Sequence, residues 1–225
     1  MSTITIVSDL RARFGEARDQ KSRPTCLVFA SSDAHSFAIG IPWNPLSCEY
    51  LFFHAKKSDG SSPHRGTNVA SIAATLKAEG QPREGEWPYL PKLPADLSTW
   101  IPPTIGNDLH RAEMIRIAKP NTGDIWIRLE NGEPVVIGIT LSDAFYALNA
   151  EGVIDSDEPA ETARKHALAV VAIGTEKTDR FFLVRNSWGD KWGLSGYAWL
   201  SERYLMPRLI VAARLQVTGG RTNYV

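Results

Sequence analysis

The sequence has few cysteines, no excess of charge of either sign and no long apolar run. Its 225 residues include two cysteines, Cys26 and Cys48. If Cys26 stays a free thiol, Cys48 has no partner, so we expect a disulfide-free protein, which suits a reducing compartment. Lysine plus arginine number 25, as do aspartate plus glutamate. This balance argues against nucleic acid or an anionic membrane as a partner, because either usually requires a basic excess.

Membrane, metal and cofactor signals are also lacking. No apolar run approaches the ~18 residues of a membrane helix, and the start lacks the basic and apolar regions of a secretory signal. We therefore predict a cytoplasmic protein. The two cysteines and five histidines show no metal-ligand spacing. No glycine-rich phosphate loop follows a predicted strand, so neither a metal nor another cofactor is expected.

Four polar residues do form a pattern that suits thiol chemistry. Gln20 precedes Cys26 by six residues, His166 opens an apolar run at 166–171, and Asn186 opens the motif Asn-Ser-Trp-Gly. A thiol attacks as the thiolate, so its pKa must be lowered. A helix that begins at Cys26 and is capped by the Thr25 side chain would favour negative charge on the sulfur.

Each of the other three residues has a role in that chemistry. His166 would form an ion pair with the thiolate and later protonate the leaving amine. The Asn186 amide would hold the imidazole in one tautomer. The Gln20 side chain and the Cys26 backbone N–H would donate to the oxyanion. The remaining histidines lack such a setting: they are His35, His54, His64 and His110.

With these residues in this order, the sequence resembles the papain-like cysteine peptidases, whose His and Asn follow the Cys by about 130–150 residues. His166 fits that range and Asn186 falls slightly beyond it. Further similar segments are Leu-Ser-Cys-Glu-Tyr-Leu at 46–51, Gly-Glu-Pro-Val-Val-Ile at 132–137 and Trp-Gly-Leu-Ser-Gly-Tyr at 192–197. The resemblance runs from about residue 9 to residue 217.

The resemblance implies an α+β, papain-like two-lobe fold with the active site in the cleft. A helical lobe, 1–108, would carry Gln20 and Cys26, and an antiparallel β-sheet or barrel lobe, 109–218, would carry His166 and Asn186; 219–225 would be a mobile tail. The residue pattern agrees, since helices precede strands. It predicts helices at 26–38, 47–56, 69–78 and 142–150, and strands near 134–140, 167–175, 180–186, 196–200 and 209–217.

The resemblance also implies substrate-binding residues. Gly66 would pair with the substrate backbone, Gly138 would line the side-chain pocket, and Trp188 would shield the His–Asn bond. Lys165, beside the base, would favour acidic or polar substrate side chains. The sequence departs from the family around the nucleophile, where Cys-Gly-Ser/Ala-Cys-Trp is replaced by Arg-Pro-Thr-Cys-Leu at 23–27. The usual disulfide from the first of those cysteines therefore cannot form.

The expected function is a cysteine peptidase that cuts peptide or isopeptide bonds through an acyl-thioester on Cys26. A transpeptidase or side-chain amidase would use the same groups, and a catalytically silent peptide-binding scaffold is the third alternative. The expected partner is a peptide or protein substrate. Only about nineteen residues precede Gln20, where secreted family members carry a long inhibitory pro-segment. Control of activity is therefore expected to lie elsewhere: in a protein regulator in place of the pro-segment, in induction or in narrow specificity.

Overall fold

Three helices build the first half of the chain. In the computed structural model, which describes residues 4–106 and 108–218, they are α1 (Cys26–Ile39), α2 (Cys48–Asp59) and α3 (Val69–Ala78). Ser47 and Asn68 cap α2 and α3, because each side chain accepts the backbone N–H three residues further on. The predicted bounds of α3 are confirmed, and α1 is one residue longer than predicted. The tail predicted at 219–225 lies outside the described residues.

A mixed sheet dominates the second half. Its strands in the described part of the chain are β1 (Thr5–Asp9), β2 (Ala112–Arg116), β3 (Val135–Leu141), β4 (Val153–Ile154), β5 (Glu161–Glu176), β6 (Asp179–Arg185), β7 (Tyr197–Ser201) and β8 (Leu209–Val217). The order is β2-β8-β3-β5-β6-β7-β4, with β1 paired to β5. Only the β4–β7 pair is parallel within these ranges. Two helices, α4 (Thr122–Glu130) and α5 (Glu202–Leu205), complete it.

The five predicted strands are present as β3, β5, β6, β7 and β8, and β8 has the predicted bounds. Three strands and two helices were not predicted: β1, β2, β4, α4 and α5. β1 is almost entirely exposed and β4 has two residues, so neither carries the apolar pattern that marks a strand.

The short helix predicted at 142–150 is wrong. The segment instead makes one 3-10 turn at Asp143–Phe145. Phe145 is fully buried, with its ring 5.5 Å from that of Trp188 and 5.2 Å from that of Trp192. Packing of this ring therefore outweighs the weak local preference for helix.

The N-terminal segment packs with the sheet and not with the helices. β1 pairs antiparallel with the end of β5, and Asp9 lies opposite Ala172. Leu10 and Phe14 then enter the apolar core of the sheet. The predicted division at residue 108 therefore has an exception, because residues 5–14 belong structurally to the second half.

Helix α1 lies at the junction of the two halves. Ala30 and Ala34 on α1 pack against Val136 on β3 and Ala167 on β5, and Cys26 borders the same small cluster. Alanines allow the helix to approach the strands closely. This contact brings the first turn of α1 to the part of β5 that begins at His166. No helix in residues 4–106 or 108–218 has the length and apolar character needed to cross a bilayer.

Candidate active site

Cys26 is the first residue of α1 and is half-buried, whereas Cys48 is fully buried; both are free thiols. Burial raises the pKa of the Cys26 thiol above its ordinary value. Hydrogen bonds to the sulfur from the backbone N–H groups of Ala167, Leu27 and Cys26 itself act in the opposite direction. The sulfur therefore faces both the start of α1 and the residue that follows His166.

The predicted cap by the Thr25 side chain is wrong, although the helix begins where predicted. Thr25 Oγ1 lies 2.8 Å from the Tyr89 hydroxyl and makes no cap hydrogen bond. The N–H groups of Cys26 and Leu27, in the first turn of the helix, are therefore free to donate hydrogen bonds to the sulfur. A side-chain cap would have competed for donors at this helix end, where four backbone N–H groups lack helical partners.

Asn186 fixes the tautomer of His166. Asn186 Oδ1 accepts the Ser187 backbone N–H at 2.8 Å, which identifies that atom as the amide oxygen. The same oxygen lies 2.7 Å from His166 Nε2, so Nε2 must carry the donated proton. Nδ1 of a neutral ring is then the free base. Burial lowers the pKa of His166 to about 4, and its hydrogen bond to Asn186 opposes that shift.

Burial thus opposes charge on the thiol and on the imidazole alike. The thiolate–imidazolium pair predicted from the sequence requires the attraction between the two charges and the N–H bonds to sulfur to exceed that opposition. Interacting groups of this kind lose their protons in two steps that belong to the pair and not to either residue. The ion pair therefore stays a prediction.

Gln20 is joined to the same group through Ser187, which the sequence argument did not single out. The Ser187 hydroxyl donates to Gln20 Oε1 at 2.6 Å, and the Gln20 backbone N–H donates to the Ser187 carbonyl at 2.8 Å. Gln20 Nε2 donates to the Arg23 carbonyl at 2.7 Å. Three of the predicted residues, Gln20, Asn186 and His166, therefore form one hydrogen-bonded chain. Ser187 stands inside the Asn-Ser-Trp-Gly motif, which was the available signal.

An aromatic cluster covers the imidazole. The Trp188 ring centroid lies 4.9 Å from that of His166, and Tyr146 stacks on Trp188 at 5.5 Å. Phe145 and Trp192 complete the cluster behind Trp188. Such rings exclude water from one side of the His166–Asn186 hydrogen bond, where a low local dielectric strengthens it.

The predicted substrate residues lie in different settings. A Cβ built on Gly66, which is exposed, would lie 3.5 Å from the Pro24 carbonyl, so this glycine borders the nucleophile loop. Gly138 lies opposite Ala167 in the β3–β5 register, and a Cβ there would meet Val211 Cγ1 at 2.8 Å. Both positions are therefore close to the residues around Cys26.

Lys165 is the predicted residue that the structure does not bring into the group. It is exposed on β5, opposite Thr140, and has no hydrogen-bond or ion-pair partner among the described residues. Neighbouring strand residues point to opposite faces, so its side chain leaves the sheet away from the buried His166. A role for Lys165 in substrate preference stays a prediction. Across residues 4–106 and 108–218, no three metal-ligating side chains come together.

Known proteins resemble this chain over most of its length. A family profile described as papain family cysteine protease matches residues 14–206. An uncharacterised peptidase C1-like protein of Acanthamoeba polyphaga mimivirus is 24% identical over 202 residues, which are 83% of this chain and 64% of the relative. The chain thus spans less than two thirds of that relative.

Two solved structures share the fold. Digestive procathepsin L 3 of Tenebrio molitor larval midgut has a TM-score of 0.76 at 18% identity, covering 93% of this chain and 69% of that one. Xylellain, a cysteine protease from Xylella fastidiosa, has a TM-score of 0.73 at 21% identity, covering 96% of this chain and 87% of that one. Since the family profile spans most of the sequence and its fold is the one observed, the chain belongs to the papain family of cysteine proteases.

Proposed function

We propose that this protein is a cysteine peptidase that hydrolyses amide bonds of peptides or proteins through a thioester on Cys26. The observation that carries the proposal is the hydrogen bond from His166 Nε2 to Asn186 Oδ1, 2.7 Å long. It leaves Nδ1 as the nitrogen that exchanges a proton with the nucleophile. The Cys26 sulfur, which accepts the backbone N–H of Ala167, the residue after His166, is the proposed partner of that nitrogen.

The reaction proceeds in two halves. The Cys26 sulfur attacks the substrate carbonyl carbon while its proton resides on His166, and the carbonyl oxygen becomes an oxyanion. Collapse of this intermediate breaks the C–N bond, and His166 gives its proton to the departing amine. A water then attacks the thioester, passes a proton to His166, and the acid leaves as the thiol is restored.

We assign two donors to the oxyanion, Gln20 Nε2 and the Cys26 backbone N–H. Gln20 Nε2 carries two hydrogens, and the hydrogen bond to the Arg23 carbonyl uses one of them. The second has no partner among the described residues. The Cys26 backbone N–H, at the start of α1, contacts the sulfur in the free protein and would turn to the oxyanion once the sulfur has attacked. Donors fixed before the reaction stabilise the charge that develops in the transition state.

We also propose that the protein acts in a reducing, cytoplasmic setting. Catalysis needs the thiol of Cys26 free, and Cys48 is buried in the core of the helices. Cell fractionation that finds the protein in an oxidising compartment would contradict this proposal.

The test of function compares the two cysteines. Cys26→Ala should lower peptide turnover by at least about 10³-fold, since the covalent step is lost. Cys48→Ala, as the matched control, should keep the wild-type rate. N-terminal sequencing of peptides from a digested proteome would locate the cleaved bonds and define the preferred side chains.

Mass spectrometry of the same products separates the alternatives. Ligated peptides identify a transpeptidase, and a one-dalton increase without cleavage identifies a side-chain amidase. Peptide binding without turnover identifies a silent scaffold. Cleavage by Cys26→Ala at the wild-type rate would rule out the proposed mechanism.

A further inference from the structure

Arg23 occupies the position where the family's motif has its first cysteine, and it is a buried cation. Its side chain is 5% exposed. Its guanidinium contacts both oxygens of the Glu49 carboxylate on α2, with Nη1 at 2.5 Å from Oε2 and Nη2 at 3.0 Å from Oε1. Nη1 also donates to the Leu90 carbonyl at 2.6 Å. A two-point contact of this kind fixes direction as well as distance.

Glu49 is completely buried, and its carboxylate receives two further hydrogen bonds. The Trp100 indole N–H donates to Oε1 at 2.6 Å, and the Leu90 backbone N–H donates to Oε2 at 3.0 Å. A buried ion pair is by itself weak support for stability, because removing two charges from water costs about as much as their attraction returns. The directional contacts therefore point to a positional role.

The backbone of Arg23 holds the oxyanion donor. Its carbonyl accepts Gln20 Nε2 at 2.7 Å and the Thr25 backbone N–H at 2.8 Å. The Tyr89 hydroxyl donates to the Gln20 carbonyl at 2.8 Å and also meets the Thr25 hydroxyl. One end of Arg23 is thus anchored in the helical half, and its other end sets the rotation of the Gln20 amide.

We infer that Arg23, clamped by Glu49, is a positioning residue for Gln20. The clamp fixes the Arg23 carbonyl, the carbonyl engages one amide hydrogen of Gln20, and the other hydrogen is thereby aimed at the oxyanion. Ser187 holds the opposite end of the same amide through Gln20 Oε1. The inference depends on the proposed function in one respect, which is that Gln20 donates a hydrogen bond to the oxyanion.

Two reactions of Cys26 distinguish a residue that positions Gln20 from a residue that only stabilises the fold. Acylation by a p-nitrophenyl ester of a blocked peptide passes through a tetrahedral oxyanion, and the burst of p-nitrophenolate measures it. Alkylation by iodoacetamide is a displacement at saturated carbon and forms no oxyanion. A residue that acts through Gln20 should affect acylation and leave alkylation near the wild-type rate, whereas a collapsed site would slow both.

The variants are Gln20→Ala, Arg23→Met and the double variant. Gln20→Ala should slow acylation by about 10²–10³-fold, as for loss of an oxyanion donor. Arg23→Met should slow it by about 10–10²-fold, because a displaced donor loses part of the same stabilisation. If Arg23 acts through Gln20, the double variant should be no slower than Gln20→Ala.

Arg208→Met is the matched control, since Arg208 is an equally buried arginine that bonds the Tyr204 carbonyl in the sheet half. It should leave the ratio of the acylation rate to the alkylation rate unchanged.

Arg23→Lys keeps the positive charge but loses the two-point contact with Glu49, so this ratio should fall less than in Arg23→Met. This variant replaces Arg23→Met in the test if Arg23→Met does not fold. An unchanged ratio in the Arg23 variants, or losses that multiply in the double variant, would overturn the inference. A wild-type protein that acylates but never cleaves peptides would instead reject the proposed function alone.

Discussion

Asn186 decides which nitrogen of His166 carries a proton, and this fixes where a proton can go during the reaction. Its oxygen takes hydrogen bonds from both Ser187 N–H and His166 Nε2. Nδ1 therefore has the free lone pair while the ring is neutral. Because burial lowers the pKa of His166 to about 4 and raises that of Cys26, the pair holds one proton over a wide pH range.

We predict a broad, bell-shaped dependence of kcat/KM on pH. Below the acid limb, near pH 4, both groups carry a proton and no base remains. Above the ordinary thiol pKa of 9.0, which burial raises further in Cys26, both protons are lost and the leaving amine has no acid. Two forms of the pair are active between these limits: the thiol with a neutral imidazole, and the thiolate with an imidazolium. They contain the same number of protons, so the pH profile does not distinguish them. Thiolate absorbance in the ultraviolet tells the two apart.

Buried His35 supplies the control for this profile. Its pKa is also lowered to about 4 by burial, so its protonation could unfold the protein and imitate an acid limb. In His35→Gln the acid limb of activity should stay in place, with circular dichroism reporting the folded fraction at each pH. A wild-type profile that rises only above pH 9.0 would show that His166 takes no part.

At the scale of elements, α2 carries a buried cation, Lys56, that contacts the loop of Gly66. Lys56 is 4% exposed although it lies near the end of the helix. Its ammonium donates to the Gly66 carbonyl at 2.9 Å, contacts the Ser61 hydroxyl, and lies 3.5 Å from Asp59. The helix thereby holds the loop that brings Gly66 to the nucleophile loop.

We predict that Lys56→Met raises KM by about 5–20-fold with little change in kcat, because Gly66 would be displaced while the reacting groups remain in place. Lys57→Met is the control, since Lys57 is exposed on the same turn and should leave both constants unchanged. Steady-state kinetics on one peptide substrate suffice. A fall in kcat at constant KM would mean that Lys56 does not act through substrate binding.

Most elements with a clear apolar pattern could be predicted from the sequence, whereas the exposed strand β1 could not. The exception is α4, which is not predicted although Ile125, Trp126 and Leu129 form a buried face on it. α1, α3 and β8 combine such a pattern with a cap, a glycine or a clear end. The predicted bounds of α3 and β8 agree with the structure, and α1 begins where predicted and ends one residue later. β1 is exposed and is held by its pairing with β5, a contact between residues about 165 positions apart in the sequence. No local pattern records such a contact.

The candidate site divides in the same way. The spacing of Gln20, Cys26, His166 and Asn186 could be read from the chain because the family motif surrounds each. Arg23 could not be assigned a partner, since Glu49 lies 26 residues away and its burial follows from how α2 packs. Long-range polar contacts depend on the fold and leave no periodic signature.

At the scale of the whole molecule, one buried carboxylate joins the two halves. Asp33 lies on α1, two turns after Cys26, and its oxygens receive Arg18 at 2.6 Å and Arg185 at 2.7 Å. Arg185 ends β6 directly before Asn186 and also donates to the Tyr197 hydroxyl at 2.5 Å and to the Gly15 carbonyl at 2.8 Å. Burial would raise the pKa of Asp33, but the two guanidinium groups hold it below its ordinary value.

We predict that Asp33→Ala lowers the free energy of unfolding by about 3–5 kcal/mol, because it leaves buried Arg185 without a counter-ion and leaves Arg18 with only Glu84, 3.4 Å away. Chemical denaturation near neutral pH measures this loss. The sign of the pH dependence follows from the lowered pKa: the stabilisation by Asp33 is present above its unfolded value of 3.8 and is lost as the pH falls through the lower folded value. Wild type should therefore lose more stability on acidification than Asp33→Ala.

Replacing all three residues of the cluster distinguishes the effect of an unpaired buried charge from the effect of losing the contact between the two halves. In the triple variant Arg18→Met, Asp33→Leu, Arg185→Met no arginine or aspartate of the cluster is left unpaired, and the half-buried Glu84, which loses Arg18, keeps the backbone N–H groups of Cys48 and Tyr89 as donors. Most of the stability should therefore return. Activity should not return with it, because Arg185 directly precedes Asn186 and its contacts to Tyr197 and Gly15 are lost as well. Stability and kcat/KM that recover together would show that the network only balances charge, and that apolar packing alone can hold α1 against β6.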